Sequence, residues 1–309
     1  MNFLKPRFWG EKNNLISLFL FPISFFLQIL FIIKKKITHQ NTFKIPIICI
    51  GNIYVGGTGK TPLCILISKE LSSKGLKAAI IKKYYSKHVD EHDLINSNVN
   101  GLFLNKDRSD AIRTAEDKNY DLAILDDGFQ DFSIKKNLNI ICFNERQMIG
   151  NGMTLPSGPL RESINAIRKA QIIVINGPIN KKFEEQIANV SNKIKIFYSN
   201  YMPSNIDQFK NKKLFAFAGI GNPDNFFKLL TNNGLNLKKS LSFPDHYQFT
   251  KSEIQKIVNE SAENELDLIT TEKDFYRIKN LGFTNIKCLK IDLQIIDKVK
   301  FIKEILNYL

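Results

Sequence analysis

Residues 45–62 read Ile-Pro-Ile-Ile-Cys-Ile-Gly-Asn-Ile-Tyr-Val-Gly-Gly-Thr-Gly-Lys-Thr-Pro, and the change of character within them decides the fold. The first part, Ile45 to Asn52, is a β-branched apolar run of strand length. A glycine-rich turn follows, and then the helical pattern Leu63 to Leu71. Strand, turn and helix in that order bring backbone N–H groups and the positive end of a helix to one point, which suits a phosphate. The spacing predicts that Tyr54, Val55, Gly56, Gly57, Thr58 and Gly59 wrap the phosphates of ATP. Lys60 reaches the β/γ-phosphates, and Thr61 holds Mg²⁺. The strict pattern opens on glycine, where this chain has Tyr54.

Further strand-like runs lie at residues 78–81, 102–104, 122–126, 140–143 and 172–175, with helical patterns between them. That alternation predicts a parallel sheet with crossover helices. A second series at 214–218, 266–270 and 286–291, with helices over 224–231 and 251–262, predicts a second, smaller α/β/α domain. The expected organisation is an N-terminal segment 1–40, a P-loop domain 41–205 and a smaller domain 206–309. The run ending in Asp126-Asp127-Gly128 delivers carboxylates to the rim of the sheet where nucleotides bind, so one of the pair is expected to hold Mg²⁺ directly or through water.

Leu15 to Ile33 is nineteen residues without a charge, between Lys5, Arg7 and Lys12 on one side and Lys34, Lys35 and Lys36 on the other. It is long enough to reach across a bilayer. Pro22 and Gln28 are awkward in a straight span, and basic flanks on both sides suit a segment that enters and leaves at one anionic face. We expect an embedded anchor rather than a crossing. The net charge is +14, yet only 7 of the 44 basic residues are arginine, and no recognition module accompanies them, so nucleic acid is not an expected partner. Four scattered cysteines form no C-x-x-C pair, which indicates neither a zinc site nor a disulfide framework.

These motifs, with Phe8-Trp9, Lys106-Asp107-Arg108, Gly158-Pro159-Leu160-Arg161-Glu162, Phe243-Pro244-Asp245-His246 and Thr271-Glu272-Lys273-Asp274, resemble the tetraacyldisaccharide 4'-kinases of lipid A synthesis along essentially the whole chain. The resemblance implies two α/β/α domains with the nucleotide in the cleft between them. It implies transfer of the γ-phosphate of ATP, with Mg²⁺, to the 4'-hydroxyl of a tetraacylated disaccharide 1-phosphate at the cytoplasmic face of the inner membrane. It also implies that Asp90 and His246, on opposite sides of the expected domain join, share the acceptor's proton, and that Glu162 lies near the metal. Lys82-Lys83-Tyr84-Tyr85 stands where the family has Ser-Arg-Gly-Tyr, the stretch from Tyr85 to Asp90 is short, and Asp131 replaces a histidine. These departures are read as acceptor-side. Three other readings stay open: a membrane-tethered ATPase switch, whose signature lysine would stand at Val55; a kinase for another acceptor; and a protein that only binds nucleotide.

Overall fold

The computed structural model describes residues 5–85, 89–245 and 247–309. In chain order the elements are α1 (Leu15–Ile37), β1 (Ile47–Gly51), α2 (Lys60–Ser72), β2 (Ala78–Lys83), α3 (Val89–Asn96), β3 (Leu102–Asn105), α4 (Arg108–Asp117), β4 (Leu122–Asp126), β5 (Leu138–Asn144), β6 (Ile172–Asn176), α5 (Lys181–Val190) and β7 (Lys195–Pro203). There follow β8 (Lys213–Ala218), α6 (Pro223–Asn232), β9 (Asn236–Ser242), α7 (Lys251–Glu263), β10 (Asp267–Thr271), α8 (Glu272–Ile278), β11 (Lys287–Leu289), β12 (Ile291–Ile295) and α9 (Lys298–Leu306).

The chain forms two compact units. The larger comprises Leu4–Tyr85, Val99–Asn200 and Leu293–Leu309. Its eight-stranded sheet has the order β12-β7-β6-β5-β1-β4-β2-β3. Strand β1 lies at the middle, parallel to β4 on one side and β5 on the other, so the loop after it leaves from the point where the winding reverses. All five residues of β1 and of β4 are buried, as continuous apolar runs in a doubly covered parallel sheet should be.

The smaller unit holds Ser86–Asn98 and Tyr201–Asp292, with a parallel sheet in the order β11-β10-β8-β9. Alternation along β8 covers both of its faces. Leu214, Ala216 and Ala218 pack with Phe226 and Leu230 of α6, whereas Phe215 and Phe217 pack with Ile254 and Ile257 of α7. Helix α3 belongs to this unit although β2 and β3 of the larger one flank it in sequence. Its Glu91, Asp93 and Ser97 meet Lys273 at 2.7 Å, Lys279 at 2.5 Å and the Tyr276 hydroxyl at 2.6 Å, all on α8 or just after it.

Helix α1 is continuous through Pro22. Its only fully buried residues are Ser17 and Ser24, while Leu15 and Phe19 are 81% and 82% exposed. Ser17, Leu20, Ser24, Gln28 and Phe31 are the better-covered positions at steps of three and four, one stripe of a helix. Along that stripe Asn151 donates to the Ser17 hydroxyl at 3.0 Å, and Ser24 pairs with the Ser157 hydroxyl at 2.7 Å. Gln28 donates to the Thr154 hydroxyl, and Phe31 meets Phe132 edge-on. Trp9, just before the helix, is buried and donates to the Pro156 carbonyl at 3.1 Å.

Candidate functional site

Gly59 opens α2 in the left-handed region, at φ 90°, where only glycine is at ease, and no side chain caps the helix. Its first amides are thereby left to an anion. Asn52, fully buried at the end of β1, donates to the Gly56 carbonyl at 3.1 Å and to the Thr58 hydroxyl at 3.0 Å, bracing the loop from beneath. From the other side the Gly158–Glu162 segment runs along the loop's start: Val55 N–H donates to the Pro159 carbonyl at 2.9 Å, and Arg161 N–H to that of Ile53 at 2.7 Å. A Cβ on Gly51 would stand 2.4 Å from Cβ of Phe129, so glycine is required where β1 passes the acidic turn. Cys49, Cys64 and Cys142 are buried under this region. Burial pushes the Cys49 and Cys142 thiols up to about 11 and about 12, which makes them packing groups rather than nucleophiles.

The sheet brings Asp126 at the end of β4 to Thr61, whose hydroxyl donates to its Oδ2 at 2.9 Å. Lys82, from the end of β2, donates to the same oxygen. Oδ1 is buried and has no hydrogen-bond partner among the described residues. A hydroxyl beside a carboxylate with one idle oxygen is the donor set that a nucleotide-bound Mg²⁺ takes from a protein, the rest coming from phosphates and water. The residues present therefore fit the ion. Asp127 is engaged differently: Arg161 contacts its carboxylate at 2.9 and 3.1 Å, and Lys60 lies 3.7 Å away. Burial would push its carboxyl up, but Lys60, Arg161 and Arg108 outweigh that and hold it below the usual carboxylate range.

Sequence reasoning gave no role to several residues that build this strand end. Arg108 donates to the carbonyls of Asp126 and Asp127, at 3.3 and 3.0 Å, and pairs with Asp131 at 3.2 Å. Lys136 closes the turn from below on the carbonyls of Gly128, Phe129 and Asp131. Gln130 ties the Asn52 carbonyl to Glu162, at 2.9 and 3.2 Å, and Lys169 takes the other Glu162 oxygen at 3.1 Å. Asp131 and Lys82, read from sequence as acceptor-side departures, thus face Arg108 and Asp126 of the nucleotide side. A signal was present for Lys82, since parallel neighbours β2 and β4 end in Lys82-Lys83 and in Asp126, with Ile81 paired to Leu125 one step before.

Of the residues assigned to proton transfer, Asp90 has its backbone in α3, which packs in the smaller unit and not with the P-loop domain expected from sequence. The side chain of Asp90 and all of His246 lie outside the described residues. Their neighbours Glu91 and Asp93 are taken up by lysines of the same unit.

Comparisons with known proteins agree with this architecture. A tetraacyldisaccharide 4'-kinase of Pelagibacter ubique is 41% identical over 302 residues, covering 96% of each chain. One of Rickettsia akari is 31% identical over 309 residues, covering 94% of this chain and 93% of its own. The crystal structure of LpxK from Aquifex aeolicus, solved in complex with ATP, superposes with a TM-score of 0.74 at 24% identity over 95% of this chain and 99% of its own, a shared fold. The family described as tetraacyldisaccharide-1-P 4'-kinase matches residues 16–309. Matched by that family over nearly its whole length, and with end-to-end relatives above 30% identity, the chain belongs to the tetraacyldisaccharide-1-phosphate 4'-kinase family.

Proposed function

We infer that this chain transfers the γ-phosphate of ATP to the 4'-hydroxyl of a tetraacyldisaccharide 1-phosphate, a lipid A precursor. The observation that carries the reading is the joining of an uncapped P-loop helix start to Thr61 and Asp126 in a chain that belongs to this family. The acceptor oxygen forms a bond to the γ-phosphorus while the bond to the β–γ bridging oxygen breaks. ADP leaves with that electron pair, and the acceptor's proton passes to Asp90, which His246 assists. Lys60 and the amides of residues 56–61 neutralise the moving phosphoryl charge. When bound, Mg²⁺ would supply neutralisation of the phosphates' negative charge. Thr61 and Asp126 would hold it. Asp127 remains with Arg161 and Lys60, and Glu162 supports the loop through Gln130.

We place the enzyme on the cytoplasmic face of the inner membrane. Helix α1 exposes most of its leucines and phenylalanines and turns its serines and Gln28 to the protein, the reverse of a helix in water. Pinned along one stripe to residues 151–157, it suits a segment laid in one leaflet where acylated acceptors reside. The test is transfer of labelled γ-phosphate from ATP with and without a tetraacylated disaccharide 1-phosphate. Label is expected in the lipid only when that acceptor is supplied. Steady ATP hydrolysis unaffected by acceptor, with no labelled lipid, would overturn the assignment.

A further inference from the structure

Lys82 occupies a special place in the sheet. Strand β2 pairs in parallel with β4 in the register Ile80 to Ile124 and Ile81 to Leu125. One step further the same register sets Lys82 beside Asp126, and side chains at paired positions of neighbouring strands share a face. The ammonium meets Oδ2 with the lysine side chain only 9% and the aspartate 0% exposed. Enclosing an ion pair this far costs desolvation, and removing one partner leaves a buried charge uncompensated. Since Thr61 also uses Oδ2, the two donors together leave Oδ1 as the carboxylate oxygen with no protein hydrogen bond among the described residues.

We propose that Lys82 is a positioning residue and a resident counter-cation for the Asp126 carboxylate, fixing Oδ2 so that Oδ1 is kept for Mg²⁺ and competing with that ion for the aspartate's charge. The proposal rests on the assignment of Asp126 to the metal made above. With Lys82 present, the buried carboxylate is neutralised before any metal arrives. ATP without metal then meets a site already rich in positive charge, and Mg²⁺ gains less from Asp126 than it would from an unshared carboxylate. Loss of the lysine charge reverses both effects, weakening metal-free ATP and tightening Mg²⁺ in the nucleotide complex, two faces of one linkage.

The experiment measures binding of a fluorescent, non-hydrolysable ATP analogue to the full chain in detergent while Mg²⁺ is titrated. In Lys82→Met and Lys82→Gln the Mg²⁺ midpoint should fall about tenfold or more, whereas in Lys82→Arg it should stay within about threefold of the native protein, because a unit charge near a divalent ion in a partly buried site weighs at least that much. The glutamine keeps a donor for Oδ2, so it separates loss of charge from loss of fold should the methionine variant prove unstable. Asp126→Asn is the reference. If it shifts the Mg²⁺ dependence while Lys82→Gln leaves the midpoint unmoved, Lys82 is a structural tether and the proposal is overturned. If Asp126→Asn itself changes nothing, it is the metal assignment that fails.

Discussion

The strand ends at β1 and β4 and the helix α1 solve opposite problems with the same kinds of bond. At the strand ends charged groups are buried or half-buried, and each is held by neighbours: Asp127 by Arg161 and Lys60, Asp126 by Thr61 and Lys82, Asp131 by Arg108. Along α1 the covered polar groups are two buried serine hydroxyls and the half-buried amide of Gln28, and most apolar side chains lie outward. The difference teaches what each region faces. Charge is concentrated beside the P-loop, and the helix keeps its polar atoms inward, as the membrane setting proposed above requires of a helix whose outer medium offers no hydrogen bonds.

The largest effects are expected on the charged side. Lys60→Ala should lower kcat by about 10²-fold to 10³-fold with an unchanged melting temperature, because it removes charge stabilisation and no core packing. Asp90→Ala and His246→Ala should each cost about 10²-fold to 10⁴-fold in kcat with little change in the KM for ATP. A double variant scarcely worse than the poorer single one would show that they work as a unit. Glu91→Ala and Asp93→Ala sharpen the assignment. Both carboxylates already pair with lysines, so these changes should loosen α3 and leave most of kcat. A crippled Glu91 variant beside a normal Asp90 one would shift the base by a residue.

The outward face of α1 should matter next. Replacing Phe19, Ile23 and Phe26, which are 82%, 50% and 59% exposed, by serine should move the protein from membrane to soluble fractions and lower turnover of acylated acceptor about tenfold, since buried apolar area drives interfacial binding. Nucleotide binding should persist. This is a cleaner probe than deleting residues 1–36, because the deletion also removes Trp9 from its buried seat. Unaltered sedimentation with membranes would place the anchor elsewhere.

The two regions also differ in how plainly the sequence announced them. The P-loop and the acidic turn were legible because their chemistry is local: a strand, three glycines and Lys60-Thr61 need no distant partner to be understood. Each of the nine strand-like runs read from sequence overlaps a strand, with 45–52, 266–270 and 286–291 overrunning the observed ends, but β7, β9 and β12 were not read as strands of their own. Strand β9, Asn-Leu-Lys-Lys-Ser-Leu-Ser, is a sheet edge that alternates between half-buried and exposed residues, with lysines guarding it, so it lacks an apolar run. Lys82 and α3 were misplaced for another reason. Their partners, Asp126 and Lys273, are fixed by register and packing across the fold, which spacing along the chain does not encode.

A smaller effect tests the docked stripe. Ser24 pairs with the Ser157 hydroxyl, donates to the Thr154 carbonyl and accepts from the Ser157 N–H at 3.0 Å. Ser24→Ala strands that buried N–H and should cost about 1–3 kcal/mol in urea denaturation of the detergent-solubilised protein. An unchanged midpoint would mean that the helix is held by its surroundings and not by the stripe.

The smallest expected effect separates the two regions by pH. Asp127 has its carboxyl held below the ordinary value of 3.8 once its cationic neighbours outweigh burial. For an acid whose folded pKa is depressed, the unfolded chain binds the proton more readily. Its contribution is therefore complete above the unfolded value and disappears as pH falls through the folded one. Asp127→Asn should then be less stable than the native protein at neutral pH, and the gap should begin to narrow below about pH 4 and close as pH falls through the depressed folded value. Because the side chain is 31% exposed, solvent screening keeps the gap to about 1 kcal/mol or less. The stripe on α1 contains no titratable group among Ser17, Ser24 and Gln28, so the deficit of Ser24→Ala should stay constant over the same range. Denaturation midpoints of the three proteins between pH 3 and pH 7 decide the matter. A gap for Asp127→Asn that persists in acid would mean that its loss is one of hydrogen bonding to Arg161 and not of charge.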